Sequence, residues 1–258
     1  CRPKRWRPTR TGSAMEVFWD AVVEAVKLLF GGDSGTYEII GLSLRVSGVS
    51  LLIAMLLGIP AGYWIGSRRF RGRGLLIALV NTGMGLPPVV VGLVVYILIS
   101  RSGPLADAHL AILGEVMPRL LYTVPAMVIA QVIISTPLVT GVTLAAVGSV
   151  PAELRLQARS LGASRLHEAA LTLKEARWGV MSAVAAGFGG IISEVGAVNM
   201  VGGNIAGKTR VMTTAIMLET GQGNFGLALG LGIILLAIAF VIMNAFTHAQ
   251  QSGSRYER

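Results

Sequence analysis

Charged residues are scarce in this sequence. Asp, Glu, Lys and Arg together make up 14% of the 258 residues, whereas a soluble domain of this length carries about 25%. Hydrophobic residues reach 53%, and the mean hydropathy is +0.68. This balance excludes an ordinary soluble globular domain and indicates a protein that lies in a lipid bilayer.

Cysteine and histidine are equally scarce. The one cysteine, Cys1, excludes an intrachain disulfide and a cysteine metal cluster, and a lipidated N-terminus there is a minor alternative. The three histidines lie outside the apolar stretches, and the sequence has no H-E-x-x-H motif and no pair of carboxylates within those stretches. We therefore expect no metal, no cofactor and no membrane-embedded catalytic centre in this chain.

The net charge of +9 is concentrated at the N-terminus, where five basic residues occur within the first ten positions. The chain lacks a basic patch interleaved with aromatic residues, which argues against a nucleic-acid partner. Residues 1–14 also lack apolar periodicity. We interpret them as a non-native or disordered tail, with Met15 as the candidate start of the native chain.

Five stretches are long and apolar enough to cross a bilayer, which takes about 20 helical residues. The only charged residues within them are Arg45 and Glu194. The predicted spans are 42–65, 75–99, 120–148, 178–200 and 225–247. The sequence therefore predicts an all-α membrane protein with a transmembrane domain over 41–250 and a short tail at 251–258.

Residues 15–40 are predicted to form an amphipathic interfacial helix and a linker. The stretch 17–30 is too short to span a bilayer and contains three charged residues. One apolar face of this helix would carry Phe18, Val22, Val26 and Leu29.

The loops differ in their lysine and arginine content, which predicts orientation. Loop 66–74 has four arginines and loop 149–177 has five basic residues, whereas loops 101–119 and 201–224 have two each. The first two loops are therefore predicted to be cytoplasmic. Five spans then place the N-terminus outside the plasma membrane and the C-terminus in the cytoplasm.

Residues 202–209, GGNIAGKT, match the phosphate-loop pattern G-x-x-x-x-G-K-[ST]. A phosphate loop follows a strand and faces cytoplasmic ATP, but this segment follows a predicted span and faces outward. We interpret it as a tight external turn that needs glycine. A contact with an anion or a binding protein is the alternative. The candidate residues of this turn are Gly202, Gly203, Asn204, Lys208 and Arg210.

Loop 149–177 is longer than a simple connector needs to be. We predict a helix from about 152 to 161, a turn at Gly162–Ser164 that uses the left-handed backbone of glycine, and a second helix that runs on into the fourth span. The first helix would present Leu154, Ala158 and Leu161 as an apolar stripe. An amphipathic helix in a cytoplasmic loop favours docking into a groove of a partner protein.

The segments QARSLGAS and LTLKEAR in this loop resemble the coupling loop of ABC importer permeases. Ala158 and Gly162 match the family pattern, whereas Leu156 stands where the family usually has Glu. The segments 43–63, 81–96 and 192–225 resemble permeases of tungstate and molybdate importers, with the tungstate branch closer. The resemblance extends over about 15–250, nearly the whole native chain.

The resemblance implies a type I ABC importer permease and no enzyme activity in this chain. It also implies a homodimer in membrane lipid and two cytoplasmic ABC ATPase subunits that hydrolyse ATP. An external substrate-binding protein would deliver an oxyanion, and tungstate is the favoured cargo. Molybdate, sulfate or another anion is an alternative cargo, and a passive channel is an alternative class. The residues assigned to ATPase coupling are Leu154, Ala158, Arg159, Leu161, Gly162, Ala163 and Ser164.

Four further residues within the spans are candidates for the pore or its gate: Pro87, Pro88, Glu194 and Gly196. Adjacent prolines distort a helical turn, and a carboxylate inside a span is often functional. For Glu194, structural pairing is the alternative to a gate. The pair Gly226–Gly230 is interpreted either as a dimer contact or as ordinary packing.

Overall fold

The computed structural model describes residues 14–31, 34–113 and 119–254. Within these ranges the chain is helical and contains no strand. Apart from Ala14, the predicted tail 1–14 lies outside the described residues. The twelve helices of the described part are α1 (Ala14–Phe30), α2 (Ser34–Ser67), α3 (Arg73–Met84), α4 (Pro88–Ile99), α5 (Pro104–Leu113), α6 (Val124–Gly148), α7 (Ala152–Ser160), α8 (Arg165–Glu175), α9 (Arg177–Ile192), α10 (Gly196–Gly202), α11 (Met212–Gly221) and α12 (Phe225–Ser254).

Four helical stretches in the described part of the chain are long and apolar enough to cross a membrane. They are Ser34–Ser67, Pro88–His109, Val124–Gly148 and Phe225–Gln251. The pair α9 and α10 qualifies as a fifth, interrupted span. The predicted all-α class is therefore confirmed, and the predicted number of five spans agrees with the structure when α9 and α10 are counted as one span.

The second predicted span, 75–99, was wrong as a single helix. Helix α3 ends at Met84, Gly85 follows as its C-cap, and α4 begins at Pro88. Pro87 and Pro88 have no backbone N–H to donate, so the α3 hydrogen-bond ladder cannot continue through them. The first position of a helix tolerates proline, which explains why the next helix begins at Pro88.

One compact unit comprises the described residues within 1–46, 92–127 and 192–242. In its core, α1 packs against α11 and α12 through Ala25, Leu28, Met212, Ala215, Leu231 and Ile234. Of the predicted apolar face of α1, Leu29 packs against this core and Val26 is 50% exposed, while Ala21 and Ala25 are buried. A Cβ placed on Gly230 would lie 3.3 Å from the Ala25 nitrogen. Small residues allow this close approach, so Gly230 serves packing within the chain.

The other unit comprises residues 47–91, 128–191 and 243–258. Three glycines of α2, spaced four residues apart, contact α6: Cβ atoms at Gly58, Gly62 and Gly66 would lie 2.9 Å, 2.6 Å and 3.1 Å from α6 atoms. This stripe of small residues lets the two helices pack with their backbones close together. A second core, here named the Val147 cluster, consists of Val147, Val150 and Ala176.

Candidate functional site

The predicted coupling loop forms two short helices joined by a tight turn. Gly162 has φ +82°, in the left-handed region that favours glycine. The Gly162 N–H donates to Arg159 O at 2.9 Å, and the Ala163 N–H donates to Ala158 O at 3.0 Å. These two bonds form a Schellman motif that ends α7. The predicted helix, turn and second helix are confirmed, but the second helix does not run on into the fourth span, because α8 ends at Glu175 and Ala176 separates it from α9. The Ser164 hydroxyl caps α8 by accepting from the His167 N–H at 3.3 Å.

A bidentate ion pair joins α7 to α8. Arg159 Nε donates to Glu168 Oε2 at 2.7 Å and Arg159 Nη2 donates to Glu168 Oε1 at 2.9 Å. The Glu168 side chain is buried, whereas that of Arg159 is 63% exposed. The hydrogen bonds from Arg159 lower the pKa of Glu168, and they outweigh burial, which acts in the opposite direction. Glu168 is therefore held in its charged form at neutral pH.

A further contact ties α7 to the end of α2. Arg155 Nη1 donates to the Ser67 carbonyl oxygen at 3.0 Å. This carbonyl belongs to the last residue of α2, where no following helical turn supplies a donor. The arginines on α7 therefore connect the helix to α8 on one side and to α2 on the other.

The predicted apolar stripe of α7 was wrong in two of its three residues. Leu154 packs against the Val147 cluster, and Ala158 is 8% exposed. A nine-residue helix is unstable alone, so its apolar face packs on the same chain. The apolar side chains that remain outside are Leu156 and Leu161, which are 62% and 87% exposed, together with Leu166, which is 83% exposed.

Glu194 lies in the break between α9 and α10. Its Oε1 accepts from the Ala197 N–H at 2.9 Å, and its backbone carbonyl accepts from the Thr213 hydroxyl at 2.9 Å. The carboxylate thus takes up an N–H at the start of α10, which has no partner within the helix. Gly196, another gate candidate, is the first residue of α10.

Gln131 performs the corresponding role at the other end of the break, and the sequence analysis missed it. This residue of α6 is 4% exposed, and its Nε2 donates to the Ile191 carbonyl oxygen at 3.3 Å. That carbonyl lies in the last turn of α9, where helical carbonyls lack partners. An amide inside an otherwise apolar span was the available signal.

Gly92 of α4 makes a close contact with α10. A Cβ placed on Gly92 would lie 2.7 Å from the Ala197 Cα and 3.2 Å from the Met200 Cβ. Because the Ala197 Cα belongs to the backbone, a larger side chain at position 92 would have to displace α10. The candidates Pro87 and Pro88 lie at the α3–α4 break, while Glu194 and Gly196 lie at the start of α10.

The glycine turn 202–209 uses its own backbone donors. The Lys208, Thr209 and Arg210 N–H groups all donate to Ile205 O, at 3.1, 2.9 and 3.0 Å. The buried Thr209 hydroxyl donates to Gly202 O at 2.6 Å and accepts from the Ile205 N–H at 3.0 Å. In a phosphate loop these amide groups would surround the phosphate instead. The positive φ angles of Gly203, 70°, and Gly207, 71°, explain the glycines.

The two cations of this turn have different surroundings. Arg210 donates to the Asn204 side chain at 3.2 Å and to its carbonyl oxygen at 3.4 Å, so its guanidinium stabilises the turn. Lys208 is exposed and lines a cavity of about 460 Å³ with Arg45 and Glu38. Of the two, Lys208 is the better placed to meet an anion.

Several curated proteins are similar to this chain over most of its length. A probable anion ABC transporter permease of Haloferax volcanii is 41% identical, and the match covers 78% of this chain and 84% of that protein. The tungstate uptake permease TupB of Peptoclostridium acidaminophilum is 38% identical, with 92% and 99% covered. TupB of Campylobacter jejuni is 33% identical, with 91% and 93% covered. Permeases of molybdenum and sulfate systems are more distant, at 24% to 30% identity.

Solved structures show the same fold. A bacterial ABC transporter that imports the acidic polysaccharide alginate matches with a TM-score of 0.76 at 21% identity, covering 92% of this chain and 88% of that one. Residues 58–252 match the family described as binding-protein-dependent transport system inner membrane component. The chain therefore belongs to this family of multi-pass membrane proteins, as an ABC importer permease.

Proposed function

We propose that this permease imports tungstate across the plasma membrane, as one half of a homodimer. An external binding protein delivers the anion, and two separate ABC ATPase subunits hydrolyse ATP in the cytoplasm. The similarity to the tungstate permease of Peptoclostridium acidaminophilum carries the proposal, because it covers 92% of this chain and 99% of that protein. The greater distance of the molybdenum and sulfate permeases favours tungstate over those anions.

The contacts of α7 support its role as the element that the ATPase moves. Leu156 and Leu161 form an exposed apolar surface, with Leu166 following on α8, and such a surface on an amphipathic helix suits a groove in a partner. The ion pair between Arg159 and Glu168 makes α7 and α8 move together. The bond from Arg155 to Ser67 O transmits the same motion to the end of α2.

The proposed orientation places these helices in the cytoplasm, with the N-terminus outside. The arginine content of loops 66–74 and 149–177 supports it. The glycine turn 202–209 is then external, where Lys208 contacts the anion or the binding protein.

The break before α10 is the proposed gate. Glu194 and Gln131 each supply a partner to one backbone group at this break, which supports two separate half-helices inside the membrane. The carboxylate of Glu194 is occupied by the Ala197 N–H, which supports a structural role for Glu194 within this gate rather than contact with the anion.

Transport by the assembled complex tests the cargo. The permease is reconstituted into proteoliposomes with its partner ATPase and binding protein, and ATP-driven uptake of tungstate, molybdate and sulfate is measured. We expect tungstate uptake to survive an excess of molybdate or sulfate. Preferred uptake of either competitor would refute the cargo, and uptake without ATP would indicate a passive channel. A complex with a disabled ATPase phosphate-loop lysine serves as the control.

A further inference from the structure

A large cavity lies at the end of α2, next to the coupling helices. Its volume is about 960 Å³, within the range of about 300–1,000 Å³ that is usual for ligand pockets. The last turn of α2 and the residues that follow it form one wall. The start of α8 forms another. Every residue that lines the cavity belongs to the same compact unit.

The lining of this cavity carries a positive charge. It contains four arginines and one carboxylate, that of Glu168. Arg159 neutralises Glu168 through the bidentate pair. This leaves Arg68, Arg69 and Arg165, all three exposed, and in the part of the chain that the structure describes none of them forms an ion pair with a carboxylate. The cavity therefore presents three cationic groups to any ligand.

The same cavity has an aromatic wall. The rings of Trp64 and Phe70 contact each other with their centroids 4.7 Å apart, and Tyr63 also lines the cavity. Trp64 is 42% exposed although it lies in the last turn of a membrane span. Tryptophan and tyrosine are typical of the boundary between hydrocarbon and water. Such an aromatic wall at the end of a span suits the level of lipid headgroups.

We propose that the headgroup of an anionic phospholipid binds in this cavity. The phosphate would be held by Arg68, Arg69 and Arg165, and the glycerol and the first acyl carbons would lie against Trp64 and Phe70. Basic pockets beside spans are typical headgroup sites. A free tetrahedral oxyanion has the same charge chemistry, but it would fill only a small part of 960 Å³ and would not use the aromatic wall.

Because of the position of the site, a lipid bound there would affect transport. Arg165 begins α8, and Ala163 belongs to the turn that joins α8 to α7. A bound headgroup therefore links the end of α2 to the turn of the coupling loop. This inference rests on the cavity and its charges, and it holds for any cargo of the permease.

Native mass spectrometry of the full-length chain in detergent tests the proposal. Phosphatidylglycerol and phosphatidylcholine are offered at equal concentration, and the bound lipid is counted. We expect a preference for phosphatidylglycerol that falls by about fivefold in Arg69→Gln and in Arg165→Gln, the effect of one arginine near an anionic headgroup. Arg71→Gln is the matched control, because Arg71 lies in the same loop, is exposed, and does not line the cavity.

Three outcomes would overturn the assignment. A phosphatidylglycerol preference that is unchanged in both variants, or equally reduced in Arg71→Gln, would show that the cavity does not hold the lipid. Displacement of the lipid by millimolar inorganic phosphate in the wild type but not in Arg69→Gln would make a soluble anion the ligand. Loss of the ATPase from co-purified Arg69→Gln complexes, with lipid binding unchanged, would make the cavity a protein contact. Unaltered gel-filtration elution shows that each variant is folded.

Discussion

Substitution of Gly162 tests the coupling loop most directly. Gly162 has φ +82°, and a Cβ added there would meet no atom within 4 Å. The Cβ atom of a valine at this position therefore meets no neighbouring residue. The whole effect comes from the backbone, because a β-branched residue resists the left-handed conformation.

The expected cost is local. Left-handed backbone costs a non-glycine residue about 1–2 kcal/mol, and the two Schellman bonds that would weaken contribute about 0.5–1.5 kcal/mol each. A change of 1–2 kcal/mol alters the ratio of ordered to frayed helix end by about 5- to 30-fold. The spans pack through other residues, so we expect Gly162→Val to loosen the end of α7 without unfolding the protein.

Three measurements report the effect of Gly162→Val. Hydrogen–deuterium exchange should accelerate in peptides that cover 152–164 and stay unchanged in the spans. Co-purification with the ATPase should fall because Leu161, which borders the turn, loses its fixed direction. Uptake should fall with it, while the affinity of the binding protein for the anion stays constant.

Two control variants distinguish the effect of backbone strain in general from the effect of strain at position 162. Gly72→Val introduces the same strain in loop 66–74, because Gly72 has φ +88° and a Cβ there would also meet no atom within 4 Å. Gly162→Asn should retain most of the function, since asparagine tolerates this conformation. If Gly162→Val exchanges and transports like the wild type, or if Gly72→Val is equally impaired in ATPase binding, the reasoning about this turn is refuted.

Three further predictions concern the ion pair, the glycine turn and the orientation. Glu168→Gln should weaken both hydrogen bonds from Arg159 by removing the negative charge, and should therefore speed hydrogen–deuterium exchange in α7. Because the folded pKa of Glu168 is lowered, the protection of wild-type α7 against exchange should be complete above the ordinary glutamate pKa of about 4.3 and should be lost as the pH falls below it. Loss of this protection already above that pH would contradict the ion pair. Lys208→Ala should leave ATP turnover of the complex intact. A loss of turnover as large as that of an ATPase phosphate-loop variant would refute the interpretation of 202–209 as an external turn. In a Cys1→Ser background, Ser164→Cys should resist impermeant thiol reagents in intact cells, and external labelling would reverse the topology.

The fold class, the long apolar spans and the turn at Gly162 could all be predicted from the sequence alone. Long apolar runs identify spans because a bilayer requires about 20 apolar residues in a row, whatever their neighbours. Gly162 could be predicted because its left-handed backbone is a local requirement of the chain. The resemblance of the coupling loop and of 192–225 to importer permeases was likewise present in the sequence.

Which faces of α1 and α7 are covered depends on how the helices pack against one another. Amphipathic periodicity identifies an apolar face, but Ala25 packs inward because it fits against Gly230, and Leu154 packs inward because the Val147 cluster lies beneath it. The Arg159–Glu168 pair and the Gln131 cap also depend on contacts between separate elements. Such contacts are set by the packing of neighbouring helices, which periodicity in a single segment does not encode.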